Sequence, residues 1–192
     1  MAVGSVPGQA GASTIVVLGD SLSSGYGLDG APSWVDILAD RIEQGAYEYA
    51  VVNASISGDT SSSGLSRLPR LLDSHEPSIV IIELGGNDGL RGLPPTLLQE
   101  NLAQMIELVI ARGAVPLLTG IQMPPSHGPA YADRFAAVYT ELAAQFGIDF
   151  VGFLMENVAL EPGRMQADRV HPNAAGQQPM FENVWAVLEE ML

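Results

Sequence analysis

Few residues in this chain can start a reaction, and the first of them is Ser21. It stands in Gly19-Asp20-Ser21-Leu22-Ser23, directly after an apolar, β-branched run at 14–18 that reads as a strand buried on both faces. Parallel α/β sheets bind ligands beyond the carboxyl ends of their strands, which puts this hydroxyl where a nucleophile would stand. The same serine could equally be a turn former or an N-cap. A serine attacks only when a neighbouring base accepts its proton. Three histidines offer a base near neutrality: His75, His127 and His171. His75 precedes Glu76-Pro77 and reads as solvated, whereas His127 lies beside Gly128 in a proline-rich loop where it could touch a substrate. Only His171 has a carboxylate three residues earlier, Asp168, in a turn leading into a helix. That spacing lets Asp168 hold one ring nitrogen while the other faces Ser21. An Asp-x-x-His run also arises as a plain turn or cap.

Attack on an acyl carbonyl creates an oxyanion that needs hydrogen-bond donors. The backbone N–H groups of Ser21 and Gly58 and the side-chain amide of Asn87 are the candidates. Gly58 lies in Ser55-Ile56-Ser57-Gly58-Asp59-Thr60, where a residue without Cβ lets the backbone come close to a substrate. Asn87 lies in Gly85-Gly86-Asn87-Asp88-Gly89, and both could be ordinary turn residues. Asp20, Asp59 and Asp88 flank these positions and read as acceptors that orient the loops. Glu83, inside an apolar strand, is either the buried partner of loop N–H groups or an edge residue.

The elements that must position these groups follow from hydropathy. Strands are expected at 14–18, 49–54, 78–84, 115–121 and 149–153, and helices at 34–44 (capped by Ser33), 62–74, 95–112, 131–146 and 173–191. Five alternations of strand and helix with short connections predict one α/β domain over 14–192, a three-layer α/β/α sandwich, after a flexible leader at 1–13. With a flavodoxin-like five-stranded parallel sheet of order 2-1-3-4-5, the loops bearing Ser21, Gly58 and Asn87 leave three adjacent strands and open on one edge. The fifth strand is about 14 Å from the first. The stretch 154–167 is long enough, at up to ~3.3 Å per residue, to cross that edge and deliver Asp168 and His171.

Composition narrows the chemistry further. There is no cysteine, so thiolate catalysis, disulfides and cysteine-bound metal are excluded. All eight basic residues are arginine, which removes the lysine of a phosphate-binding loop or of pyridoxal chemistry. A net charge of −14 argues against nucleic acid or an anionic membrane as partner. No apolar run approaches the ~20 residues that span a bilayer, so stable membrane insertion is not expected.

On these residues the chain resembles the GDSL family of esterases and lipases, in its SGNH-hydrolase subgroup. Gly19-Asp20-Ser21-Leu22-Ser23, Gly58, Gly85-Gly86-Asn87-Asp88 and Asp168-Arg169-Val170-His171 occur in family order, from about residue 14 to the C-terminus. The run from Glu83 to Gly92 is most similar to the bacterial acyl-thioesterase, arylesterase and lysophospholipase branch. The resemblance implies Ser21, Asp168 and His171 as catalytic triad, Ser21, Gly58 and Asn87 as oxyanion hole, and neither metal nor cofactor. It also implies that the loop at 121–131, with Gln122, Met123 and His127, meets the acyl chain. The expected activity is hydrolysis of short- to medium-chain acyl or aryl esters, with thioesters open, in a protein exported after signal removal or retained in the cytoplasm. Lysophospholipase and carbohydrate acetylesterase activities remain as alternatives within the class, and a non-catalytic flavodoxin-like ligand-binding module outside it.

Overall fold

Two strands form the centre of the molecule because nearly every side chain they carry avoids water. In β1 (Ser13–Gly19), residues Ile15, Val16, Val17 and Leu18 are completely buried, and β3 (Ile79–Glu83) is buried along its whole length. Such uniformly apolar strands can only be interior strands covered on both faces. The computed structural model describes residues 12–45 and 47–192. The expected leader at 1–13 lies outside the described residues except at its end, where Ser13 already belongs to β1.

The sheet is parallel throughout, in the order β2-β1-β3-β4-β5, with β2 (Tyr49–Asn53), β4 (Val115–Thr119) and β5 (Asp149–Val151) completing it. This is the expected order. Helices α1 (Trp34–Gln44) and α6 (Ala174–Leu188) pack together, while α2 (Ser61–His75), α4 (Pro95–Ala111) and α5 (Pro129–Phe146) pack in sequence. Right-handed crossovers place such groups on opposite faces of the sheet. The start of α1 is defined by a capping box: Ser33 accepts from the Asp36 N–H while Asp36 accepts from the Ser33 N–H.

Most expected boundaries differ by one or two residues, as frayed ends do. Two differences are larger. The segment after β3 is a short helix, α3 (Gly86–Leu90), rather than a loop. Gly85 at φ +127° breaks the chain out of the strand, and the Gly89 N–H then reaches back to the Gly85 carbonyl at 2.9 Å. The last helix ends at Leu188, and a 3₁₀ turn over Glu189–Met191 follows.

The carboxyl ends of the strands are stitched together beyond the sheet proper. Ile56 N–H donates to the Gly19 carbonyl at 3.0 Å, and Leu154 N–H donates to the Gly120 carbonyl at 3.0 Å. Gly120 makes the closest approach to another stretch of backbone, since a Cβ there would stand 2.2 Å from the Gly152 carbonyl oxygen. Backbone cannot give way as a side chain can. Gly120→Ala is therefore expected to cost about 1–3 kcal/mol, read as a lower urea midpoint. Unchanged stability would mean that β4 and β5 part easily at this end.

Candidate active site

Ser21 opens the run of turns that leaves β1, and its neighbours are fixed on both sides. The Asp20 carbonyl accepts from the Ser23 and Ser24 N–H groups at 3.3 and 3.0 Å, and Asp20 Oδ1 accepts from the Leu22 N–H at 3.0 Å. The Ser21 N–H donates to nothing among the described residues, and neither does that of Gly58. Gly58 has φ +88°, a left-handed conformation that favours glycine, and open space lies where a Cβ would project.

Asn87, in the first turn of α3, ties three loops together with one amide. Its Nδ2 donates to Asp20 Oδ2 at 3.0 Å and to the Asp59 carbonyl at 2.9 Å. Asp59 in turn accepts from Arg67 Nε at 2.7 Å, and the Arg67 guanidinium also reaches the Gly19 carbonyl at 3.4 Å. Arg67 was not among the residues expected from sequence. The available signal was its type and place: one of only eight cations, on the helix that directly follows the Gly58 loop. Asp88 caps the same region by accepting from Ser61 N–H and Oγ–H at 2.8 and 2.5 Å.

His171 and Asp168 arrive from the opposite side of the sheet on the long segment that follows β5. Asp168 Oδ1 accepts from the Val170 and His171 N–H groups at 2.9 and 3.0 Å. Its Oδ2 lies 2.7 Å from His171 Nδ1, and His171 Nε2 lies 2.8 Å from Ser21 Oγ. With the Nδ1 proton engaged by the carboxylate, Nε2 is free to accept from the serine hydroxyl. Arg169 adopts φ +60° to make this turn. The ring of Tyr26 lies against that of His171, centroids 4.6 Å apart.

A cavity of about 220 Å³ opens beside these groups. Ser21, Asn87 and His171 share its lining with an apolar wall that includes Leu22, Ile121, Met123, Phe153, Met155 and Met165. Gln122 also lines it, whereas His127 is exposed and stands outside the lining, as does Gly58. His75, at the end of α2, is remote from the cavity lining as well. Among the described residues, no cluster of three or more His, Asp or Glu side chains is placed to hold a metal ion.

The carboxylates at the site fall into two electrostatic groups. The hydrogen bond from His171, helped by the backbone N–H groups, holds Asp168 down at about 2. Burial drives the other two the opposite way. Asp20, 1% exposed, is pushed up to about 6, and Glu83, with no exposed surface, is raised well above the usual carboxylate range by burial and by the neighbouring Asp20. Glu83 Oε2 accepts from the Asp20 N–H at 3.2 Å and from Ser23 Oγ–H at 2.6 Å, so the carboxyl braces both sides of Ser21 from below. Its Oε1 is buried without a partner.

Comparisons with known proteins place the chain in a family. The model of the GDSL-like lipase/acylhydrolase family matches residues 17–178. The chain is 51% identical over 184 residues to the esterase TesA of Pseudomonas aeruginosa, covering 96% of this chain and 92% of that protein. It is 46% identical over 168 residues to the thioesterase 1/protease 1/lysophospholipase L1 of Escherichia coli, covering 88% and 79%. The crystal structure of a TesA superposes with a TM-score of 0.91 at 50% identity, covering 94% of this chain and all of that one.

The raised carboxyl of Glu83 has a measurable consequence. A folded state that keeps a proton the unfolded chain releases is stabilised at low pH, and that contribution is lost as pH rises, by up to about 1.4 kcal/mol per pH unit. Glu83→Gln removes the titration while retaining an oxygen for the Asp20 and Ser23 donors. The difference in Tm between Glu83→Gln and the parent should therefore shift in favour of the variant from pH 4.5 to pH 8. A difference that stays flat across that range would mean Glu83 is ionised in the fold.

Proposed function

The chain belongs to the GDSL-like lipase/acylhydrolase family and is a carboxylic ester hydrolase, and we propose that Ser21 is its nucleophile, His171 its general base and Asp168 the acid that orients the base. The observation that carries this assignment is the unbroken relay of 2.7 and 2.8 Å hydrogen bonds from Asp168 through His171 to Ser21, opening on an apolar cavity.

In the reaction, Ser21 Oγ attacks the ester carbonyl as its proton passes to His171 Nε2. The anion of Asp168 stabilises the imidazolium that forms. The carbonyl oxygen, now negative, is received by the otherwise unengaged N–H groups of Ser21 and Gly58. Asn87 contributes its amide by exchanging the Asp59 carbonyl for the oxyanion. The imidazolium then protonates the departing alcohol, leaving an acyl group on Ser21 Oγ. Water, deprotonated by His171, releases the carboxylic acid and regenerates the serine.

The apolar wall suits the hydrocarbon part of short- to medium-chain acyl or aryl esters, with thioesters reacting by the same steps. Met123 and Gln122, which line the cavity, contact the acyl chain, while His127 stands at the exposed end of the same loop, outside the lining. The net charge of −14 favours neutral esters over polyanionic acyl donors.

Hydrolysis of p-nitrophenyl acetate and butyrate tests the assignment. Ser21→Ala and His171→Ala should each lower kcat on the order of 10⁴-fold or more, and Asp168→Asn should act comparably by presenting the wrong tautomer. A Ser21→Ala variant that keeps most of the turnover would refute the nucleophile. Along the p-nitrophenyl series, each methylene that the cavity covers is worth at most ~0.8 kcal/mol, so kcat/KM should climb by up to roughly fourfold per methylene until the wall is filled.

A further inference from the structure

Asp168 fixes His171 locally, but the pair must still be held at the right distance from Ser21. The turn that carries them is closed on itself. Gln166 N–H donates to the His171 carbonyl at 2.8 Å, Arg169 N–H to the Gln166 carbonyl at 3.0 Å, and Asn173 N–H to the Arg164 carbonyl at 2.9 Å. None of these bonds reaches the loop that bears Ser21. Among the described residues, two hydrogen bonds join residues 20–32 to residues 163–173. One is the reacting pair itself. The other is made by Gln166, whose Nε2 donates to the Tyr26 carbonyl at 2.9 Å across 140 positions of sequence, and to the Pro172 carbonyl at 3.0 Å.

The rest of that amide is seated as firmly. Its Oε1 lies against Gly27, where a Cβ would come within 2.4 Å. The two carbonyls that Gln166 bridges belong to residues whose neighbours matter. Tyr26 rests its ring on His171, and Pro172 directly follows it. Resting on the assignment of Ser21 and His171 above, we propose that Gln166 is a positioning residue. It sets the spacing between nucleophile and base by bridging the Tyr26 and Pro172 carbonyls, with Gly27 as the seat that admits it. A carboxylate of the same shape cannot replace it, because both sites it fills are acceptors and demand a donor. Misplacement of reacting groups by about 1 Å can cost on the order of 10²-fold in rate, which is the scale on which such a bridge acts.

The test compares Gln166→Ala and Gln166→Glu with the parent on p-nitrophenyl butyrate, alongside the rate at which a fluorophosphonate inactivates each protein. Proton NMR at low field follows the His171 Nδ1–H proton shared with Asp168. Both variants should lose roughly ten- to a hundredfold in kcat with KM within twofold, and inactivation should slow in step, while the low-field resonance persists. Gly27→Ala, displacing the same amide from the other side, should lower kcat likewise. Gly30→Ala, at φ +90° in the same loop with nothing within 4 Å, carries the same backbone penalty and should not. Parent-like kcat in the Gln166 variants would overturn the proposal. So would disappearance of the low-field resonance together with the activity, since Gln166 would then merely fold the turn. If Ser21→Ala is inactive while the Gln166 variants are not, only this inference fails. If Ser21→Ala is also active, the serine mechanism itself is wrong.

Discussion

A hydrogen bond of 2.8 Å between two residues 150 positions apart, His171 and Ser21, is the constraint around which this fold is arranged. A parallel sheet is one of the few architectures that can satisfy it. Every strand ends on the same edge, so loops from remote parts of the chain come together there without crossing. The interior strands β1 and β3 make that edge rigid because their side chains are buried on both faces. The loops that leave them are then fixed by polar groups: Arg67 and Asn87 draw the loops after β1, β2 and β3 together, and Glu83 supports the turn at Ser21 from beneath.

Three carboxyl groups lie close to the Ser21–His171 pair, and their surroundings set them apart. Asp168, partly open to water and bonded to an imidazole and two backbone N–H groups, stays an anion. Asp20 and Glu83 are buried side by side, and burial raises both: Asp20 to about 6, still below neutrality, and Glu83 well above the usual carboxylate range. On the proposed mechanism, environments that push like groups apart in this way separate the acid that orients a base from those that hold the scaffold. Asp168 thus keeps its negative charge beside the imidazole across the whole working pH range, whereas Glu83 beneath Ser21 resists ionisation.

Much of this was legible in the sequence. The uninterrupted apolar runs at Ile15–Leu18 and Ile79–Ile82 are what interior parallel strands require, and the flavodoxin-like order supposed for their alternation with amphipathic helices is the one the structure has. The sequence also singled out Ser21, Asp168 and His171, of which histidine is the scarce type, and the structure brings the three into hydrogen-bond contact. Other features were not legible there. Gln166 and Arg67 act on backbone carbonyls, which every residue possesses, so nothing in the partner's identity points to them. The short helix after Gly85 was hidden by its glycines, whose weak helix preference is overridden by tertiary context. The two N–H bonds that Asn87 makes likewise depend on where Asp20 and Asp59 come to rest, which spacing alone does not specify.

Asp168 and His171 share one self-closed turn, and most of the apolar residues between β5 and that turn, such as Phe153 and Met155, face the cavity and have no part in closing it. Part of the cavity wall is therefore carried by a piece of chain distinct from the turn that holds Asp168 and His171. Exchanging the side chains of Phe153, Met155 or Leu160 would reshape the space offered to a guest while Leu154 and Val158, both wholly buried, keep the segment anchored.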